Sequence, residues 1–63
     1  MGQGMTYQIG DMVTWWSHIA LARETGYVVA VEGQGRKSVR VRFFSGYDRI
    51  IYTDHRLKKV QEQ

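Results

Sequence analysis

The residues with the clearest chemical potential form a basic cluster near the middle of the chain. The cluster consists of Arg36, Lys37, Arg40 and Arg42. No acidic residue lies among them, and on an extended strand Arg40 and Arg42 would share one face, roughly 7 Å apart. That spacing suits successive phosphates of a nucleic acid, which would be bound without sequence choice. The alternative is a solvated strand face that keeps a small domain soluble. Further positive charge follows at Arg49, Arg56, Lys58 and Lys59.

Aromatic side chains form a second candidate set. Trp15-Trp16 and Phe43-Phe44 are adjacent pairs, and successive side chains of a strand face opposite ways. One member of each pair is therefore expected outside. The expected outward set is Trp16, Phe44 and Tyr47, with Tyr27 or Tyr52 as further members. Such rings near arginine could stack bases, hold a cation or anchor a protein interface. The alternative is that they cap the open ends of a small barrel.

The combinations that would support catalysis or metal binding are weak. Ser17-His18 and Asp54-His55 are adjacent in sequence, and neighbours in an extended chain point apart. A catalytic triad would form only if the two segments folded over each other, and it would still need an oxyanion site. The chain has no cysteine, so a thiolate zinc site is excluded. We therefore expect no catalytic residues, no metal site and no cofactor.

Length and composition limit the elements that can position these side chains. The 63 residues allow one domain, with a net charge of +3, no proline and no cysteine. A core of this size is only marginally sufficient, so stability must come from dense packing, a closed sheet or oligomerisation. The hydrophobic content of 43% is that of a folded domain. With no apolar run of spanning length and no signal-peptide pattern, we expect a cytoplasmic protein.

The pattern of apolar, β-branched and turn residues predicts five short strands. We expect them at residues 12–16, 27–31, 38–43, 49–52 and 57–60. Residues 17–25 are expected to form a long first loop, with one helical turn as an alternative, and residues 53–56 a turn or a single 3-10 turn. Five short strands joined by tight turns indicate an all-β fold, closed into a barrel that hides its edges. We expect residues 9–60 to form the barrel, with residues 1–8 flexible and residues 61–63 frayed.

Alternation along these strands predicts which side chains form the core. The candidates are Val13, Trp15, Val28, Val31, Val39, Val41, Phe43, Ile51, Leu57 and Val60. Gly26 is expected where the sheet bends sharply and a Cβ atom would clash.

Four segments carry a resemblance to a known family. They are Gly10-Asp11-Met12-Val13-Thr14-Trp15 with its Gly-Asp, Val and aromatic positions, residues 25–31 with Gly-x-Val-x-x-Val, the basic and apolar strand at residues 38–43, and Leu-x-x-Val at residues 57–60. Together they resemble the SH3-like small β-barrels of the Tudor and KOW type. The resemblance spans residues 9–60 and implies a fold more than a function, because this barrel serves many partners.

Members of this fold imply several kinds of partner. KOW domains are associated with RNA or the transcription machinery, Tudor domains hold methylated Lys or Arg in an aromatic cage, and small photosystem and dehydrogenase subunits dock ferredoxin. The type II dihydrofolate reductases are similar barrels that work as tetramers through a Val-Gln-Ile-Tyr segment. The nearest stretch here is Arg49-Ile50-Ile51-Tyr52, which has no Gln.

The sequence therefore predicts a small non-enzymatic binding module with a basic, aromatic-bearing face for a nucleic-acid backbone, RNA or DNA. The alternative is a protein-interaction or homo-oligomeric assembly module that docks an acidic protein or forms part of a larger complex. A remote alternative is an oligomeric enzyme similar to the type II reductases.

Overall fold

The computed structural model describes residues 6–60, and these form an all-β structure, as predicted. The strands are β1 (Met12–Ser17), β2 (Ala22–Glu32), β3 (Ser38–Phe43), β4 (Asp48–Tyr52) and β5 (Leu57–Lys59). Each of the five predicted strands is present at its predicted place in the chain. The expected frayed residues 61–63 and most of the expected flexible N-terminal segment lie outside the described residues.

The strands form one antiparallel sheet in the order β4-β3-β2-β1-β5. This arrangement is compatible with a small SH3-like barrel. Over the described residues no ladder joins the two edge strands β4 and β5, so the predicted closure of the barrel is not confirmed. The sheet is nevertheless strongly curled. The Arg49 guanidinium on β4 lies 5.2 Å from the centroid of the Trp15 ring on β1, although three strand spacings in a flat sheet would separate the two backbones by about 14 Å.

The predicted long first loop at residues 17–25 is wrong. Strand β2 begins at Ala22, and residues 22–25 pair with residues 14–17 of β1, so only residues 18–21 connect the two strands. Leu21 closes the turn with a φ of 55° and an N–H bond to the Ser17 carbonyl. Local helix propensity favoured a different conformation, but it amounts to tenths of a kcal/mol per residue. The ladder with β1 outweighs it.

The connection before β5 is a hydrogen-bonded turn. The Leu57 N–H donates to the Asp54 carbonyl at 3.1 Å, and no 3-10 helix is present in residues 53–56. This turn places Arg56 directly before β5, where its carbonyl accepts from the Trp16 N–H at 3.2 Å.

Strand β2 bends because it serves both halves of the sheet. Gly26 pairs with Val13 of β1 and with Phe43 of β3. Further along β2, a register shift between Val28 and Ala30 marks a β-bulge. A Cβ atom on Gly26 would meet the Arg42 carbonyl oxygen and lie 2.7 Å from the Phe43 Cα. The glycine therefore lets the β3 backbone approach β2 closely enough for the sheet to curl.

One core fills the concave side of the sheet. It contains eight of the ten predicted residues together with Tyr7, namely Tyr7, Val13, Trp15, Val28, Val39, Val41, Phe43, Ile51 and Leu57. Val31 and Val60 were predicted in the core, but they remain 38% and 37% exposed because both lie at strand ends, where covering side chains are few.

Tyr7 was not predicted as a core residue. Its ring is buried, its hydroxyl donates to the Leu57 carbonyl at 3.0 Å and its N–H donates to the Gly35 carbonyl at 3.0 Å. Burial raises the pKa of the Tyr7 hydroxyl, with nearby Asp11 and Asp54 adding to the effect. The residue therefore ties the segment before β1 to β5 and to the β2–β3 hairpin.

Gly26→Ala should destabilise the fold by about 3 kcal/mol or more, because the added methyl group meets backbone atoms that cannot rotate away. Urea unfolding followed by tryptophan fluorescence measures the change. Thr25→Ala, one residue earlier on β2, is the control and should change the free energy of unfolding by less than about 1 kcal/mol. Equal stability of the Gly26→Ala and parent proteins would contradict the close approach of the β2 and β3 backbones.

Candidate nucleic-acid interface

The predicted arginine pair on β3 lies on the outer face of the sheet, but its charge is partly offset. Arg42 and Asp48 are partners in the β3–β4 ladder. The Arg42 Nε and Nη2 atoms donate to the two Asp48 carboxylate oxygens at 3.0 and 3.3 Å. These hydrogen bonds hold the pKa of Asp48 below its usual value. Arg40 stands beside Ile50 of β4 and Ala30 of β2 on the same face.

The remaining basic residues of the predicted cluster lie in the β2–β3 hairpin. The Arg36 Nε donates to the Thr6 hydroxyl at 3.2 Å, and Lys37 is exposed. Glu32 lies at the same end of the outer face, where the Ser38 hydroxyl donates to its carboxylate at 2.6 Å. Acids from β2 and β4 therefore accompany a cluster that contains no acid in sequence.

The three predicted aromatic residues lie in different surroundings. Phe44 is 61% exposed and packs against Tyr27 with ring centroids 5.4 Å apart. Tyr47 packs on the core residue Phe43 at 5.3 Å. Its hydroxyl donates to the Glu24 carboxylate at 2.7 Å, which is the main cause of a raised Tyr47 pKa. Trp16 stands apart from this group, on the outer face of β1 opposite Arg23 of β2.

Trp16 borders a groove that gathers a different set of basic residues. The groove has a volume of about 590 Å³ and is lined by Trp16, His18, Arg23, Asp54, His55, Arg56 and Lys58. The ladders explain this convergence. Trp16 faces Arg23 across β1 and β2, while Lys58 of β5 is the ladder partner of Thr14. The Arg23 Nη1 also donates to the Thr14 hydroxyl at 3.3 Å, which directs its side chain across β1.

The groove has a surplus of positive charge. Its one lining acid, Asp54, accepts hydrogen bonds from the Arg56 N–H at 3.0 Å and from the Arg56 Nη2 at 3.3 Å. Partial burial opposes ionisation of Asp54, but the bonds from Arg56 prevail and its pKa is lowered. Arg23 and Lys58 form no salt bridge with any acid of residues 6–60. Both cations are therefore available to an anionic ligand.

A second cavity adjoins the groove and shares His18 and Arg56 with it. We call this cavity the seam pocket, because it lies between edge strand β4 and the end of β1. Its volume is about 280 Å³, and it is lined by Trp15, Ser17, His18, Ile19, Arg49, Ile50, Ile51, Tyr52 and Arg56. The Arg49 and Arg56 guanidinium groups lie 5.2 and 6.0 Å from the centroid of the Trp15 ring. Groove and seam pocket thus form one continuous basic surface.

The structure also brings together the residues considered for catalysis. His18, Asp54 and His55 line the same groove, although no sequence pattern predicts that their segments meet. Within residues 6–60 no hydrogen bond links either histidine to Asp54 or to Ser17, whose hydroxyl accepts from the Ala20 N–H at 3.1 Å. Nor do the described residues contain a group of three side chains suited to a metal ion.

Sequence reasoning gave no site role to Arg23, and it noted Arg49, Arg56 and Lys58 only as added charge. A usable signal exists for two of these residues. Arg56 and Lys58 flank the core residue Leu57, so alternation alone places them on the opposite face from the core. Arg23 was missed because its segment was assigned to a loop, which concealed its pairing with Trp16.

Comparison of the chain with protein-family models, with curated proteins and with solved structures finds no match. None of the described residues belongs to a helix long and apolar enough to cross a membrane.

Asp54→Asn should lower the free energy of unfolding by less than about 1 kcal/mol at neutral pH, since the pair with Arg56 is partly exposed. Because the folded-state pKa of Asp54 is depressed, its contribution is complete above its ordinary value of 3.8 and is lost as the pH falls through the lower folded value. Urea unfolding of both proteins across this range measures the difference. A gap that persists far below pH 3.8 would contradict this role of the Asp54 charge.

Proposed function

We propose that the protein is a small, non-enzymatic nucleic-acid-binding module, an SH3-like barrel of the Tudor and KOW type, and that the groove binds the sugar-phosphate backbone. One observation carries the proposal. Arg23, Arg56 and Lys58 converge beside the partly exposed ring of Trp16, with Asp54 as the one lining acid. A role in binding intracellular nucleic acid also agrees with the cytoplasmic location expected from the sequence.

The mode of binding follows from the types of side chain. Arg23 and Lys58 would each neutralise a phosphate, and Arg56 would use the donors that Asp54 does not occupy. The Trp16 ring offers a flat surface on which a base or sugar can stack. Phosphate contacts carry no sequence information, so the affinity should be similar for different sequences and should fall steeply with salt.

The groove is a better candidate than the β3 cluster because it gathers its cations around a partly exposed tryptophan ring in one concave surface. Each surface has one arginine bound to an acid, Arg42 to Asp48 on the β3 face and Arg56 to Asp54 in the groove. Arg23 and Lys58 have no acidic partner among residues 6–60. The sequence predicts a second surface for the nucleic acid on the β3 side, at Arg36, Lys37, Arg40 and Arg42. Binding measurements on variants of each surface distinguish it from the groove.

The paired substitution Arg23→Gln with Lys58→Gln should weaken binding to a labelled single-stranded oligonucleotide at least tenfold at low salt. It should also reduce the slope of log affinity against log salt by about 1 to 1.5, because two phosphate contacts are lost. Fluorescence anisotropy over a series of salt concentrations gives both quantities.

The matched control is Lys37→Gln with Arg40→Gln, which removes two exposed charges from the β3 side. It should preserve the salt slope and most of the affinity. A parent protein that fails to bind at low salt would refute the proposed function. Loss of affinity in the control with retention in the groove variant would move the site to β3.

A second candidate function, protein interaction or homo-oligomeric assembly, has one specific observation in its favour. Tyr27 and Phe44 form an exposed aromatic pair on the outer face, away from the groove. Sedimentation velocity at several concentrations tests self-association, and Phe44→Ala should abolish it if this pair forms the contact. A monomer at every concentration would exclude the homo-oligomeric form.

A further inference from the structure

The seam pocket lies between edge strand β4 and the end of β1, beside the turn that leads into edge strand β5. Ile50 and Tyr52 of edge strand β4 form one side, and Ser17 and His18 at the end of β1 form the other. No ladder joins β4 to β5 over the described residues, and the Arg49 and Arg56 side chains lie near the Trp15 ring between these two edges. The Trp15 ring forms the floor of the pocket, beneath Arg49 and Arg56.

The polar groups of the pocket are incompletely used. Trp15 is only 7% exposed, yet its indole N–H makes no hydrogen bond within the described residues. The buried Ser17 hydroxyl accepts one bond, from the Ala20 N–H, and donates none within residues 6–60. Arg49 forms no salt bridge with any acid of residues 6–60, and its guanidinium lies over the Trp15 ring. The Trp15 N–H is too deeply buried for a ligand to reach directly. The Ser17 hydroxyl and the Arg49 guanidinium are therefore the lining groups with donors left for a ligand.

The walls of the pocket define the shape of that ligand. Ile19, Ile50 and Ile51 are apolar, while Tyr52 presents a ring that is 67% exposed. A free phosphate would leave the isoleucine walls unused, and an aliphatic group would leave Arg49 without a partner. A nucleobase satisfies both requirements. Its faces stack on aromatic rings and guanidinium planes, and its edge carries acceptors for hydrogen-bond donors.

Continuity with the groove supplies the rest of the ligand. His18 and Arg56 line both cavities, so a backbone bound along Arg23, Arg56 and Lys58 passes the mouth of the seam pocket. We infer that the seam pocket receives one unstacked base of a single-stranded nucleic acid whose backbone lies in the groove. This inference rests on the proposed function and narrows it to single strands, because the bases of a duplex are paired and stacked within the helix.

Three labelled probes of equal length test the inference by anisotropy at low salt. They are a thymidine oligonucleotide, the same deoxyribose-phosphate strand without bases, and a DNA duplex. The thymidine strand should bind at least fivefold more tightly than the abasic strand, the lower end of what one stacked base contributes. Tyr52→Ala should reduce this preference and leave the affinity for the abasic strand unchanged. Arg49→Lys, which keeps the positive charge but removes the guanidinium plane, should also reduce the preference.

Tyr27→Ala, which removes an exposed ring remote from the seam pocket, is the matched control and should keep the full preference. Near-ultraviolet circular dichroism verifies that each variant is folded. Equal binding of all three probes, lost on substitution of Arg23 and Lys58, would overturn the base pocket and leave the proposed function standing. Absence of binding to every probe would overturn both.

Discussion

The close approach of the β2 and β3 backbones at Gly26 is the constraint on which the rest of the structure depends. A single five-stranded sheet has one apolar face, and residues 6–60 contain no second layer to cover it. The sheet must therefore curl until its own strands cover the core. Gly26 allows this because β2 pairs there with β1 on one side and β3 on the other, without a Cβ atom between the backbones. The bulge before Ala30 adds to the bend.

Curling without a closing ladder determines where the chemistry lies. The two edges approach each other across Trp15, and long basic side chains from β4 and from the turn before β5 fill the gap. The ladders carry Trp16, Arg23 and Lys58 to the adjoining outer surface. Basic residues that are far apart in the sequence thus lie together in the groove and the seam pocket. The compact run at residues 36–42 lies on a different surface, which contains no lining tryptophan and where Asp48 binds Arg42.

Much of the fold was predictable from the sequence because its signal is local. Alternation identified β3 with the bounds it has, and it identified eight of the nine core residues. The exceptions depend on long-range contacts. Tyr7 enters the core through bonds to Gly35 and Leu57, and the segment with the best helix propensity becomes strand because β1 lies beside it. The candidate site was less predictable, because cross-strand pairing decides which charges meet and which are offset.

The groove and the seam pocket, rather than the basic strand β3, form the proposed nucleic-acid interface. Mapping of backbone amide shifts by NMR during titration with a single-stranded oligonucleotide tests it most directly. We expect the largest shifts at residues 15–19, 23, 49–52 and 54–58, with little change at Tyr27, Arg40, Arg42 and Phe44. Shifts concentrated along β3 and the β2–β3 hairpin, or an unchanged spectrum, would contradict the account.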